Sequence, residues 1–136
     1  MRTREIMIVE DNRGDVLLFQ EALQQLGKEP RLTVARDGVA ALELLRNRAE
    51  LSPPQLPDLV LLDLNLPRMG GQEVLRHLHA DPVLGALAIM ILTSSKVDRH
   101  LLETFGIPAD RYLVKPAGFQ GFLELAARIA RFLECE

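Results

Sequence analysis

The chain holds a single cysteine, Cys135, next to its last residue. No disulfide can form within it, and a reducing compartment fits. Basic residues are not in excess. Lys and Arg total 16 against 19 Asp and Glu, a formal net charge of -3, which argues against nucleic acid as the main partner because phosphate binding needs a basic face. Long apolar runs are also lacking. The first, Ile6-Met7-Ile8-Val9, is too short for a signal peptide, and a membrane-spanning helix needs about 20 apolar residues. There is no internal repeat and no low-complexity segment, and Ser52-Pro53-Pro54-Gln55-Leu56-Pro57 is the only linker-like stretch, too short to separate domains. These absences leave a soluble, cytoplasmic protein with neither membrane nor nucleic acid among its expected partners. Its 136 residues, 48% hydrophobic and 26% charged, suit one domain over 1–136 with a proper core and no effector domain.

What is present is an alternation. Ile6–Val9 is short, rich in branched side chains and unalternating, as a strand buried on both faces should be. Val16, Leu17, Phe19, Ala22, Leu23 and Leu26 follow at helical spacing, and Gly27 ends that helix. Leu32–Ala35 reads as a second strand, Asp37-Gly38 as a turn, and Val39–Arg48 as a second helix with Val39, Leu42, Leu45 and Ala49 on one stripe. Leu59-Val60-Leu61-Leu62 is the clearest buried strand and runs into Asp63 and a loop holding Pro67, Gly70 and Gly71. A helix is expected over Gln72–His79, a strand over Ala88–Leu92, a weak helix over Asp98–Phe105, a short strand over Arg111–Val114 and a last helix over Phe119–Leu133. Such alternation predicts an α/β fold with a five-stranded parallel sheet and helices on both faces. In such sheets, ligands bind beyond the carboxyl ends of the strands.

The residues at those ends carry the chemistry. The first strand ends in Glu10-Asp11, the third in Asp63, the fourth in Thr93-Ser94-Ser95 and the fifth in Lys115-Pro116. Three carboxylates held close together repel unless a cation joins them. Mg²⁺ suits oxygen donors and is held by one or two carboxylates plus phosphate oxygens. A carboxylate such as Asp63 can also attack phosphorus to give an aspartyl phosphate, with the metal and the Lys115 ammonium neutralising phosphoryl oxygens and Thr93 donating a hydrogen bond. Singly, each residue has a bland reading. An Asp at a strand end is usually a turn or cap residue, and Glu10-Asp11-Asn12 would serve to cap the first helix. Their combination is what points to a site. His77 and His79 do not share a helix face, and with His100 they read as ordinary surface residues.

These residues resemble the receiver domains of two-component response regulators. The matching pieces are Ile6–Asn12, Ala35-Arg36-Asp37-Gly38, Asp58–Gly71, Ile91-Leu92-Thr93-Ser94 and Tyr112-Leu113-Val114-Lys115-Pro116. The resemblance spans Arg4–Leu133 and implies the flavodoxin-like (βα)5 fold. It also implies that Asp63 is the phosphoacceptor, that the metal (Mg²⁺ or Mn²⁺) is held by Glu10, Asp11, Asp63 and the backbone carbonyl of Asn65, and that Thr93 and Lys115 contact the phosphoryl group. By the same resemblance the Lys115–Pro116 bond is cis, Tyr112 is an aromatic switch that turns inward with Thr93, and Asn65 and Ser95 occupy positions that tune phosphoryl lifetime.

A sensor histidine kinase is the implied donor. The opening Glu10–Val16 and the Pro-rich loop look similar to receivers paired with phytochrome-type kinases, in which the region of Asn12, Arg13, Leu17 and Gln20 docks on the kinase. Output is expected through partner binding, onward phosphotransfer or a homodimer built on the fourth helix, fifth strand and fifth helix. Leu101, Leu102, Phe105, Phe119 and Phe132 lie near that face. The implied protein is a phosphoacceptor that assists its own phosphorylation and dephosphorylation, not an enzyme in the usual sense. Two alternatives stand beside it. An aspartyl-nucleophile phosphatase would want a second Asp where Asn65 stands, and an interaction scaffold would leave the acidic pocket unused. A flavodoxin-like cofactor module is disfavoured because Glu10-Asp11 would repel a phosphate.

Overall fold

The structure, a computed structural model, describes residues 3–93 and 103–134. Five parallel strands form one sheet: β1 Glu5–Val9, β2 Arg31–Ala35, β3 Leu59–Asp63, β4 Ile89–Thr93 and β5 Tyr112–Val114, in the order β2-β1-β3-β4-β5. Between them run α1 Arg13–Gln25, α2 Gly38–Ala49 and α3 Gly71–Ala80. A helical segment at 103–105, α4, follows β4, and α5 Phe119–Glu134 closes the described chain. Most of the helix expected over Asp98–Phe105, together with Ser94, Ser95, Leu101 and Leu102, lies outside the described residues. None of the helices described is long and apolar enough to cross a membrane.

Strand alternation sorts the core into two layers. Ile6, Ile8, Leu59, Leu61, Met90, Leu92 and Leu113 face α1 and α5, against Phe19, Ala22, Phe122, Ala126 and Ile129. Met7, Val9, Val60, Leu62, Ile91 and Tyr112 face the other way, against Ala41, Leu42 and Leu45 of α2 and Val74, Leu75 and Leu78 of α3. Burial on both faces explains the unbroken apolar runs in β1 and β3.

Local signals set the helix ends. Asn12 caps α1 by accepting the Asp15 N–H at 3.1 Å, so the helix begins three residues before its first apolar side chain. Its end is a Schellman turn. Gly27, at φ +71°, donates to Gln24 O, and the Lys28 N–H reaches Leu23 O. Asp37 caps α2 through the Ala40 N–H at 2.8 Å. The expected stripes need correction in two places. Leu17 is 58% exposed on α1, and on α2 Ala41 is buried where Val39 is only half-buried. In both helices the sheet covers the side bearing Phe19 and Leu23, or Leu42 and Leu45, and leaves the margin of the expected stripe exposed or half-buried. Two 3-10 turns, Leu84–Ala86 and Ala109–Arg111, had no periodic signal to announce them.

The edge of the sheet at the strand N-termini carries a polar clamp that sequence patterning did not suggest. Glu5, 5% exposed, receives Arg48 Nη2 on Oε1 at 2.6 Å and Arg48 Nη1 on Oε2 at 2.8 Å, and the Thr33 hydroxyl donates to Oε2 at 2.7 Å. The clamp joins β1, β2 and α2. The Arg48 guanidinium outweighs burial and holds the Glu5 carboxyl below its ordinary 4.5. On unfolding, Glu5 regains that ordinary value, so as the pH falls below it the unfolded chain takes up a proton that the folded chain refuses. The clamp's contribution is therefore complete above that value and drains away as the pH drops through the folded pKa. In urea unfolding at about pH 6 and about pH 3.5, Glu5→Gln should lose less stability on acidification than the parent. Equal acid losses in the two chains would show that this carboxylate is not responsible.

Candidate functional site

Register brings the strand-end residues together. Val9 pairs with Leu62 across β1 and β3, so Glu10 and Asp63 come next in line on neighbouring strands. Thr93 pairs with Val114, which places Lys115 immediately beyond, its N–H donating to Thr93 O at 2.6 Å. Alternation then settles the faces. Glu10 follows Ile6 and Ile8, Asp63 follows Leu59 and Leu61, and Lys115 follows Leu113, all on the side toward α1 and α5.

The side chains converge accordingly. The Lys115 ammonium lies 2.7 Å from Glu10 Oε1, 2.9 Å from Asp15 Oδ2 and 3.3 Å from Asp63 Oδ2. Asp63 Oδ1 accepts the Asn65 N–H at 3.0 Å, and Glu10 Oε2 accepts the Asn12 N–H at 3.2 Å. Glu10 and Asp63 are each 3% exposed and Thr93 is fully buried. Burial pushes the Glu10 carboxyl up to about 7, with Lys115 opposing the rise and Asp63 adding to it. Burial alone would lower the Lys115 pKa, but Glu10, Asp15 and Asp63 together hold the ammonium above its ordinary value. Lys115 is therefore a fixed positive charge at neutral pH.

Glu10, Asp11 and Asp63 each offer an oxygen within 4.8 Å of the others. Their fit to a cation has a local sign. Glu10 Oε1 is buried and receives no hydrogen bond, since Lys115 meets it as a charge without bonding alignment. A hard divalent ion would give this oxygen the direct ligand contact that Lys115 does not. The set fits such an ion.

Close packing holds the loops around the site. A Cβ on Gly71 would stand 2.7 Å from Asp63 O and from Leu64 Cα, so only glycine lets α3 start directly behind Asp63. Arg68 sits at φ +66° in the same loop and pairs with Asp37 at 3.2 Å. Across the site, a Cβ on Gly121 would collide with Pro116 Cβ. The first turn of α5 thus lies tight on the Lys115-Pro116 segment.

One expectation changes. Among the described residues the cis peptide bond is Ser52–Pro53, and Lys115–Pro116 is trans. The two forms of an X-Pro bond differ by only about 0.5–1 kcal/mol, so local packing decides, and here Pro116 packs on Gly121 with the bond trans. Asp15 is an addition to the site that sequence reasoning did not single out. An acid in the first turn of a helix is ordinarily explained by the helix dipole, so its contact with Lys115 had no distinct sequence signal. Tyr112 is 5% exposed and belongs to the layer facing α2 and α3. A cavity of about 530 Å³ at the opposite end, lined by Arg4, Leu23, Lys28 and Leu133 among others, is remote from these carboxylates.

Residues 6–127 match the model of the response regulator receiver domain. The chain belongs to that family. Among relatives, this receiver is 32% identical to response regulator Rcp1 of Synechocystis sp. over 127 residues, covering 93% of this chain and 86% of Rcp1. It is 35% identical to the probable methanogenesis regulatory protein FilR2 of Methanothrix harundinacea, covering 93% and 81%. Its fold matches the solved structure of the phosphorylated cyanobacterial phytochrome response regulator RcpA with a TM-score of 0.80 at 32% identity, covering 96% of this chain and 94% of that one. It also matches the Mn(2+)-bound form of Rcp1, with a TM-score of 0.78 at 31% identity over 96% and 94%.

The packing behind Asp63 yields a direct expectation. Gly71→Ala should destabilise the receiver by about 1–3 kcal/mol, the usual range for overpacking. Gly85→Ala, whose added methyl would have its nearest neighbour at 3.5 Å, should stay near the parent. Urea unfolding of both variants is the check, and equal stability would contradict the packing argument.

Proposed function

We propose that the receiver takes a phosphoryl group onto Asp63 from a sensor histidine kinase and signals through the resulting change of surface. The observation that carries this reading is the Lys115 ammonium at 3.3 Å from Asp63 Oδ2 and 2.7 Å from Glu10 Oε1, beside the oxygens of Glu10, Asp11 and Asp63 that lie within 4.8 Å of one another. A nucleophilic carboxylate, a fixed cation and an acidic cluster able to hold a metal ion are what phosphoryl capture by a carboxylate requires.

Glu10, Asp11, Asp63 and the Asn65 backbone carbonyl would hold a Mg²⁺ or Mn²⁺ ion. When bound, the ion neutralises charge on phosphoryl oxygens. The other tasks fall to the chain. The Asn65 N–H fixes the Asp63 carboxylate at 3.0 Å through Oδ1. The other Asp63 oxygen, Oδ2, faces Lys115, whose charge accompanies the transferring group. As the Asp63 oxygen bonds to phosphorus, the P–N bond of a phosphohistidine breaks and its electron pair leaves with the imidazole. With acetyl phosphate the P–O bond breaks and acetate departs. The Thr93 hydroxyl then turns to the new phosphoryl oxygens, and Tyr112 answers from the neighbouring strand. This added charge of roughly -1.5 to -2 is the local event that biases a two-state surface.

A phytochrome-type kinase is the proposed donor, supported by the likeness to Rcp1 and RcpA. Its docking face is the outer part of α1, where Leu17 is 58% exposed beside Asn12, Arg13 and Gln20. The proposed outlet is the face of α4, β5 and α5, where Val114 is 55% exposed, through a partner or a second copy. The proposed setting is the cytoplasm.

Incubation with Mg²⁺ and acetyl phosphate, followed by intact-mass measurement, tests the reading. The parent should gain one base-labile phosphoryl group, lost in Asp63→Asn and in the presence of a chelator. Turnover of the donor without retained label would favour a phosphatase. Label on Asp63→Asn equal to the parent's, or no label on either, would end the proposal.

A further inference from the structure

Lys115 is shared by three carboxylates, and one of them has no place in the chemistry above. Asp15 stands in the first turn of α1, outside the cluster of Glu10, Asp11 and Asp63 that can gather around one ion. Its Oδ2 nevertheless lies 2.9 Å from the Lys115 ammonium, nearer than Asp63 Oδ2 at 3.3 Å. We propose that Asp15 is a positioning residue that draws Lys115 away from Asp63 in the unphosphorylated receiver and so limits the rate of phosphoryl capture. The inference rests on the proposed phosphorylation of Asp63 and names a regulator of that site.

Asp15 is held for this task by a closed ring of contacts. The Asn12 side chain caps α1 by accepting the Asp15 N–H at 3.1 Å, and the Asn12 N–H donates to Glu10 Oε2 at 3.2 Å. Glu10 Oε1 meets Lys115 at 2.7 Å, and Lys115 meets Asp15 at 2.9 Å. The backbone of the first helical turn thus fixes where Asp15 stands relative to Glu10. The Lys115 side chain is 16% exposed and that of Asp15 22%, so water screens the pair only in part. An ammonium has three protons to donate, and three carboxylates already surround this one. An incoming phosphoryl group is a fourth acceptor. It gains Lys115 only as one of the three lets go. Glu10 and Asp63 belong to the acidic cluster, which leaves Asp15 as the partner whose hold opposes transfer without serving it.

The test compares the parent chain, Asp15→Asn, Asp15→Glu and Asp63→Asn with acetyl phosphate at saturating Mg²⁺. Asp15→Asn keeps the N–H that Asn12 caps and removes only the charge. Its phosphorylation rate constant should rise about three- to fivefold, the size of a partly exposed ion pair. Asp15→Glu should return toward the parental rate. A second readout is the side-chain ammonium signal of ¹⁵N-lysine-labelled chain, whose lysines are Lys28, Lys96 and Lys115. The Lys115 signal should move in Asp15→Asn while that of Lys28, paired with Glu134 at 2.6 Å, stays in place. A rate equal to or below the parent's, or an unmoved Lys115 signal, overturns the inference while leaving Asp63 as phosphoacceptor. An unlabelled parent overturns the functional reading itself, and the inference with it.

Discussion

Two carboxylates, Glu10 and Asp63, sit side by side at 3% exposure because β1 and β3 pair in a register that places them in line. Buried charges of one sign are expensive unless a cation answers them. In this receiver the answer is Lys115, delivered from β5 by the same alternation that points Leu113 into the core. The site is therefore an extension of the hydrophobic packing. Apolar side chains fill each strand up to its carboxyl end, and the next residue on the same face is the one that carries charge.

The balance struck there is incomplete, and the incompleteness is informative. Lys115 holds its proton firmly against three carboxylates, yet Glu10 is pushed up to about 7 by burial and its Oε1 receives no hydrogen bond. A structural ion pair would satisfy every buried oxygen. Here the oxygens of Glu10, Asp11 and Asp63 lie within 4.8 Å of one another, close enough to gather around a further cation. The Glu5 clamp at the other edge of the sheet makes the contrast. There Arg48 engages both carboxylate oxygens, Thr33 adds a third bond, and the carboxyl is held below its ordinary value. The same residue type is settled at one edge and left unsettled at the other. Packing without slack keeps the unsettled edge in place: Gly71 lies directly behind Asp63, and Gly121 lies against Pro116.

Much of this was legible in the chain. Unbroken apolar runs ending in charge at Glu10 and Asp63 marked the central strands, and their alternation with helices marked the parallel arrangement. Helix boundaries were less legible where capping rather than periodicity sets them, as at Asn12. The Leu17 stripe misled because a helix with apolar residues around much of its circumference does not declare which of them the sheet will cover.

Sequence alone determined which residues end the strands and that their charges would need a cation, since alternation and burial act locally along the chain. Only the tertiary structure decided which carboxylates share Lys115, that Asp15 is one of them, that Pro116 joins its neighbour in trans, and that Glu5 meets Arg48 across 43 positions of sequence. Those outcomes depend on distances between elements remote in the chain. Such distances are set by how α1, α2 and α5 seat on the sheet, and no local pattern encodes them.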